Sequence, residues 1–334
     1  MTPPLNRKIR WGVLGYARIA SESVIPALLR ATNSEFHALA SRDQAKLTVA
    51  NSRYRIPKTY VGYDSLLRDP EIDAVYIPLP NNEHRAWTIR AAEHGKHILC
   101  EKPLGLNAAE VREMTAACAA SKVTLMEAFM YRYTDRIAKV RDVLRGGELG
   151  GIKFINASFR YPLDRPESIK WKPELGGGSL YDVGCYPINF IGMVADENAG
   201  KPGSGEARPE SVSAEWVRAG GIDVIFSGLM KYPTGLIAAA HSGFNAQKRV
   251  FAEIIGTKGI LEIPETYFDS PGSLSLFIDE ERREIPVGKS DRYRCEIEDF
   301  ADAIRSGKPP AFGLAETLRN AEVLDRLIAA ATAQ

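Results

Sequence analysis

The chain has 334 residues, 45% hydrophobic and 25% charged, which is ordinary globular usage and enough length for two cores. Lys and Arg number 43 against 42 Asp and Glu, a net charge of +1, so no field of one sign exists to gather nucleic acid or an anionic membrane. No apolar run approaches the roughly 20 residues of a membrane span, the start MTPPLNRKIR lacks the apolar stretch of an export signal, and the scattered cysteines and histidines form neither metal knuckle nor redox pair, so a cytoplasmic protein with reduced thiols and no metal is expected.

Over residues 1–128 short apolar runs alternate with amphipathic stretches. Strands are predicted at 9–14, 36–40, 74–78, 97–100 and 123–127, with helices at 19–31, 44–53, 83–94 and 108–121. Asn107 with Glu110 three residues on suits a helix start, and Gly95 a helix stop. Such alternation means βαβ units and a parallel sheet covered on both faces, an α/β Rossmann domain. A further helix is predicted at 134–145, after which the pattern changes. Strand-like segments at 154–159, 212–217, 223–229, 236–241, 251–255 and 260–263 are joined by Gly- and Pro-rich turns, as in an antiparallel meander. Residues 196–209, polar and rich in Gly and Pro, read as a surface loop, and helices near 296–305 and 314–330 close the chain. The division expected is a dinucleotide-binding domain over 1–128 and a C-terminal α+β domain over 129–334, with a largely antiparallel open sheet, for substrate binding and oligomerisation.

After the first strand comes Gly15-Tyr16-Ala17-Arg18-Ile19-Ala20. Read as G-x-G-x-x-G it keeps only the first glycine, but Ala17 and Ala20 are small enough for a backbone to approach a pyrophosphate at a helix N-terminus. Plain tight-turn packing explains the same residues. Ser41 stands 21 positions beyond Ala20, near where NAD-binding folds carry an acidic residue for the ribose 2′-hydroxyl. A hydroxyl and the Arg42 guanidinium there suit a 2′-phosphate, hence NADP, with NAD the weaker alternative. On the bland reading Arg42 is merely solvated and Asp43 caps the next helix.

Three further segments draw attention: Pro80-Asn81-Asn82-Glu83-His84, Cys100-Glu101-Lys102-Pro103, and the glycine-led run from Gly176 through Asp182 and Tyr186 to Pro187. The first two follow predicted strands, at the edge where open α/β sheets bind ligands. With the Gly15 loop, the E-K-P after a strand and a downstream D-x-x-x-Y, the chain resembles the Gfo/Idh/MocA oxidoreductases over nearly its whole length. Within that family it looks most like dimeric dihydrodiol dehydrogenases and NADP-dependent D-xylose dehydrogenases, then NDP-ketosugar reductases. The resemblance implies that Lys102 is the catalytic lysine and that Asp182 and Tyr186 complete the catalytic set. Many members carry histidine where Tyr186 stands, which argues against inositol dehydrogenase activity. The resemblance also implies that Asn81 and His84 lie near the nicotinamide ribose; with Glu101, Lys102 and the residues of the loop and second strand, Gly15, Tyr16, Ala17, Arg18, Ile19, Ser41 and Arg42, they are the expected cofactor contacts.

Read from the residues alone, Lys102 is equally a surface lysine, Tyr186 a half-buried tyrosine, Asp182 a helix cap and His84 a core residue. Pro187 sits awkwardly for a regular helix through Asp182 and Tyr186. Gly176–Gly178 suit either a turn near the cofactor or plain loop geometry, and Arg132, Phe159, Arg160 and Trp171 are weaker candidates for lining a substrate site. The expectation is an NADP-dependent hydride transfer at a carbinol or carbonyl carbon of a sugar or related cyclic polyol, by a homodimer or higher homo-oligomer without nucleic-acid or membrane partners. A reductase of NDP-linked deoxysugars and a non-catalytic NADP-binding regulator are the alternatives.

Overall fold

The apolar runs of the first third lie side by side as one parallel sheet in the computed structural model, which describes residues 7–333. Residues 1–6, part of the start read for an export signal, fall outside the described residues. Strands β1 (Ile9–Leu14), β2 (Ser34–Ser41), β3 (Lys58–Val61), β4 (Ala74–Ile77), β5 (His97–Glu101) and β6 (Leu125–Ala128) run in the order β3-β2-β1-β4-β5-β6, every pair parallel. The chain order reverses between β1 and β4, so a crevice opens at their carboxyl ends, where such sheets take dinucleotides. β4 and β6 are buried at every position, as strands covered on both faces must be.

Helical residues 18–30 follow β1; their turn Ala20–Val24 is of π type and α1 (Ile25–Arg30) continues it. Then come α2 (Gln44–Tyr54), α3 (Tyr63–Leu67), α4 (His84–Glu93) and α5 (Ala108–Ala120). The short β3 and α3 carry too few periodic positions to be legible in the sequence. Asp43 caps α2, accepting from the Ala45 and Lys46 N–H groups at 2.8 and 3.4 Å.

The second sheet has eight strands: β7 (Ile152–Arg160), β8 (Ser211–Ala219), β9 (Ile222–Lys231), β10 (Ile237–Gly243), β11 (Arg249–Gly256), β12 (Gly259–Pro264), β13 (Gly272–Ile278) and β14 (Glu281–Val287). Their order is β14-β13-β12-β11-β7-β10-β9-β8, antiparallel except where β10 runs parallel to β7, so the sheet is not a pure meander. The sequence reading lacks β13 and β14. β14 is an edge strand, mostly exposed and charged, and it reads like a loop for the same reason that it resists pairing with another chain. Helices α6 (Asp135–Gly146) and α7 (Cys185–Asn198) pack with this sheet, α7 over β7 and β10.

Residues 196–209 are not wholly the surface loop expected. Asp196 is fully buried at the end of α7, accepting from the Gly205 and Ala207 N–H groups at 3.0 and 2.9 Å and from Arg319 at 2.5 Å. The exposed part of the loop hangs on this carboxylate.

The chain does not divide at one point. One compact unit comprises Met1–Gly105, Ala109–Met130 and Asp291–Leu314; the other comprises Leu106–Ala108, Tyr131–Ser290 and Ala315–Gln334. Thus α8 (Arg292–Ser306), placed by the sequence reading in the second domain, packs on α1 and β2 of the first, with Phe300 against Trp11 at 5.5 Å. The last helix, α9 (Leu314–Thr332), belongs chiefly to the second unit.

Candidate active site

In the first unit the carboxyl edge of the sheet carries all the residues expected to meet a cofactor. Gly15 ends β1 with φ +110°, which a side chain adopts only under strain, and its N–H donates to Ala40 O at 2.8 Å, tying the loop to β2. A Cβ there would also stand 3.0 Å from Leu79. Tyr16 and Ala17 follow as irregular backbone, partly buried, and Arg18 and Ile19 open the helix. With small residues at Gly15 and Ala17 before the N–H groups of a helix start, this loop fits a pyrophosphate.

Ser41 and Arg42 differ in kind. Ser41 is buried and its Oγ accepts from the Asp43 N–H at 3.1 Å. Arg42 is exposed, its Nη2 3.0 Å from Glu83 Oε1 and its guanidinium 5.6 Å from the centre of the Tyr63 ring. Glu83 is itself held by the Trp87 indole N–H at 3.1 Å. Neither Glu83 nor Tyr63 bears any spacing that marks it in the sequence.

Asn81 lies in a short 3₁₀ turn after β4, partly buried. His84 begins α4, fully buried, its Nδ1 2.9 Å from Pro103 O and its Nε2 2.9 Å from Leu79 O. Burial keeps its pKa below the ordinary 6.5, against the two carbonyls, which favour the proton. His84 therefore braces the loop after β4 against the segment after β5. At the end of β5, Glu101 accepts from the Tyr76 hydroxyl at 2.6 Å and from the Lys102 N–H at 3.3 Å. Burial drives the Tyr76 phenol well above its usual 10, so it stays a donor. Lys102 is partly buried, and the peptide bond joining it to Pro103 is cis.

The second unit carries Asp182 and Tyr186. Residues Leu180–Gly184 form a π-type turn leading into α7, and this irregular entry accommodates Pro187 at the third position of the helix. Tyr186 is 4% exposed among the rings of Tyr131, Phe159 and Tyr267, with centroids 5.4–5.7 Å away. Asp182 Oδ2 accepts from Lys170 Nζ at 2.7 Å and from the Tyr161 hydroxyl at 2.9 Å, two partners the sequence reading missed.

Of the weaker candidates, Phe159 does stand beside Tyr186, and Trp171 packs edge-on to Phe244 at 5.7 Å. Arg160, one position on in the strand, bonds Ser158 Oγ at 2.8 Å. Arg132 lies in a buried ion pair with Glu316 at 3.0 Å and also donates to Asn189 Oδ1, which fixes the start of the second unit against α7 and α9. Among the described residues no group of three or more His, Cys, Asp or Glu side chains is arranged to hold a metal ion, and no helix is long and apolar enough to cross a membrane.

A parallel nucleotide-binding unit with E-K-P at its edge, and a mixed-sheet unit carrying D-x-x-x-Y, together define an oxidoreductase that works with a dinucleotide. Residues 9–129 match the oxidoreductase family with NAD-binding Rossmann fold, and residues 137–262 match the family's C-terminal domain. The chain belongs to the Gfo/Idh/MocA oxidoreductase family. It is similar to D-xylose 1-dehydrogenase (NADP(+)) 2 of Haloferax volcanii, 36% identical over 331 residues, 95% of either chain. It is 35% identical over 280 residues to trans-1,2-dihydrobenzene-1,2-diol dehydrogenase of Xenopus tropicalis, 83% of this chain and 81% of that one. Its fold superposes with a TM-score of 0.89 on a 3-ketoreductase of Actinomadura kijaniata in complex with NADP and TDP-benzene, at 27% identity and covering 97% and 98% of the two chains. That reductase has also been solved with a tyrosine changed to phenylalanine and with a lysine changed to alanine.

Proposed function

We propose that the chain is an NADP-dependent oxidoreductase that moves a hydride between the nicotinamide and a carbinol or carbonyl carbon of a sugar or related cyclic polyol. The observation that carries the reading is the pair of motifs on two units of this family: Lys102 in E-K-P after β5, and Asp182 four residues before Tyr186 at the entry to α7. NADP, when bound, gives or takes the hydride; the residues of the chain manage the proton. Hydride transfer at a carbinol carbon has to be matched by proton transfer at its oxygen. Tyr186 is the acid/base, and since a free phenol titrates near ~10 it needs help at neutral pH. That role is assigned to Lys102 of E-K-P, since an ammonium near a phenol favours phenolate by charge and can donate to a substrate oxygen. Asp182 orients substrate. The NADP-dependent xylose dehydrogenase and the NADP-bound 3-ketoreductase among the relatives support both cofactor and substrate class.

Ser41, Arg42 and the Gly15 loop hold the cofactor, with Asn81, His84 and Glu101 shaping its nicotinamide end. The protein is cytoplasmic and a homo-oligomer, formed through the sheet face that exposes Phe154, Ile225 and Leu229 at 49%, 38% and 48%. Reduction of an NDP-linked ketosugar is the second reading, favoured by the superposition on the 3-ketoreductase. A panel of aldoses, trans-dihydrodiols and TDP-ketosugars with NADP(H) and NAD(H), followed by nicotinamide absorbance, tests the proposal. Turnover of one panel member with NADP(H) supports it; tight NADP binding with no turnover overturns it in favour of a regulator.

A further inference from the structure

Three side chains of the second unit close a hydrogen-bonded ring. Lys170 Nζ lies 2.7 Å from Asp182 Oδ2 and 2.8 Å from Tyr161 Oη, and the Tyr161 hydroxyl donates to the same Oδ2 at 2.9 Å. Both groups on Oδ2 are donors, one of them charged, so this oxygen is held as an acceptor. The ring is sheltered, with the Lys170 and Asp182 side chains 28% and 16% exposed, so its bonds are screened less than those of an open surface pair.

The backbone is shaped to bring the ring together. Gly177 N–H donates to Lys172 O and Gly178 N–H to Lys170 O, both at 3.0 Å, which seats the glycine run on the two short 3₁₀ turns Ile169–Trp171 and Pro173–Leu175. A Cβ on Gly177 would stand 2.5 Å from Lys170 O and 2.8 Å from Lys172 O, so glycine is required by the closeness of that backbone. On the far side Asp223 accepts from Ser179 Oγ at 2.6 Å and from Leu180 N–H at 2.8 Å, fixing the turn that carries Asp182. Tyr161 and Trp171 both pack edge-on to Phe244, at 5.6 and 5.7 Å, so the segment bearing Lys170 is pinned at both ends.

From this geometry we infer that Lys170, with Tyr161, is a positioning residue for Asp182: it grips one carboxylate oxygen and so sets the angle at which Asp182 meets substrate. The inference rests on the reading that Asp182 serves the reaction. It also divides the labour at the site. With two donors on Oδ2, Asp182 is an orienting acceptor and leaves proton transfer to Tyr186.

Steady-state kinetics on the panel member turned over fastest by the wild-type protein test this, using Lys170→Met, Lys170→Arg, Tyr161→Phe, Asp182→Asn and the double variant Lys170→Met/Asp182→Asn. Lys170→Met is expected to lower kcat about 10-fold or more, Lys170→Arg to recover to within about 3-fold of wild type, and the double variant to be no slower than Asp182→Asn alone, as coupled residues behave. NADPH fluorescence titration gives an unchanged Kd for all five variants if they are folded. Should Lys170→Met fail to fold, Tyr161→Phe carries the test, because it keeps the ring packing and removes only the hydroxyl, which donates to Asp182 and accepts from Lys170; it is expected to lose about 3- to 10-fold in kcat. Near wild-type kcat in Lys170→Met beside a crippled Asp182→Asn, equal losses in the Met and Arg variants, or additive losses in the double variant, overturn the role of Lys170. Near-normal kcat in Asp182→Asn, or no turnover of any panel member, overturns instead the reading beneath it.

Discussion

Replacing Arg42 by alanine separates the two nicotinamide dinucleotides. On the proposed reading the 2′-phosphate of NADP would bring up to two negative charges to the end of β2, where the Arg42 side chain is exposed. A charge-assisted contact of this kind is worth about 1.5–3 kcal/mol. Arg42 is already engaged with Glu83 at 3.0 Å, an exposed pair worth about 0.5 kcal/mol that has to be exchanged for the phosphate. The net loss on removing Arg42 is therefore about 1–2.5 kcal/mol, a 5- to 70-fold weaker Kd for NADPH. NADH, which offers only a ribose hydroxyl, should change less than about 2-fold. The same exchange predicts that Glu83→Gln tightens NADPH about 2-fold by releasing Arg42. Nicotinamide fluorescence titrations at one fixed salt concentration read all five constants. Equal weakening of NADPH and NADH by Arg42→Ala, or tighter binding of NADH by the wild-type protein, would refute the assignment of this corner.

Tyr186→Phe and Lys102→Met should each cut kcat by on the order of 100-fold while NADPH still binds, as loss of an acid/base partner does; near-normal turnover in either removes that residue from the mechanism. Glu296 is buried beside Glu101, and desolvation first, then that neighbouring carboxylate, holds its pKa well above the ordinary 4.5. A raised carboxyl binds its proton more tightly when folded, so its cost to stability is absent below about pH 4.5 and grows as pH rises towards the folded pKa. Glu296→Gln should accordingly match wild type in thermal unfolding near pH 4.5 and exceed it increasingly towards pH 8; a constant difference across that range contradicts the idea. Gly177→Ala should cost on the order of 1–3 kcal/mol of stability, read as a lowered thermal midpoint, and by displacing the Lys170 backbone should lower kcat as Lys170→Met does at unchanged NADPH affinity. Leu229→Arg should turn the expected oligomer into a monomer in light scattering at micromolar concentration, and a monomeric wild-type protein would dispose of the sheet-face interface altogether.

What was readable in advance follows from where the information is local. β1 is delimited to the residue by its apolar run and the glycine after it, and Asp43 caps α2 as its side chain and position allow. The motifs E-K-P and D-x-x-x-Y are compact in sequence and therefore visible. Lys170 is not: Ser-Ile-Lys-Trp carries no pattern, and its lysine gains a role only because a glycine run several residues later lets two backbones touch. His84 was legible as a residue of interest but not as a brace, because its partners are carbonyl oxygens of Leu79 and Pro103, which leave no trace in side-chain pattern. The parallel pairing of β7 with β10 and the return of α8 to the first unit are likewise long-range facts that local periodicity does not encode.

That return of α8 has a consequence for how the chain is made. Trp11, at the centre of the first sheet, rests against Phe300, and Asn33 donates to Glu298 O and Asp302 Oδ1, each at 2.8 Å, so part of the first unit's cover is encoded some 270 residues after the strands it shields. During synthesis the strands of the nucleotide-binding sheet emerge first, and this part of their cover follows only after the whole second sheet. A gene cut between the two halves, or a fusion that exchanges only the N-terminal 130 residues, leaves an apolar surface open; a working exchange has to carry residues 291–314 as a second insert.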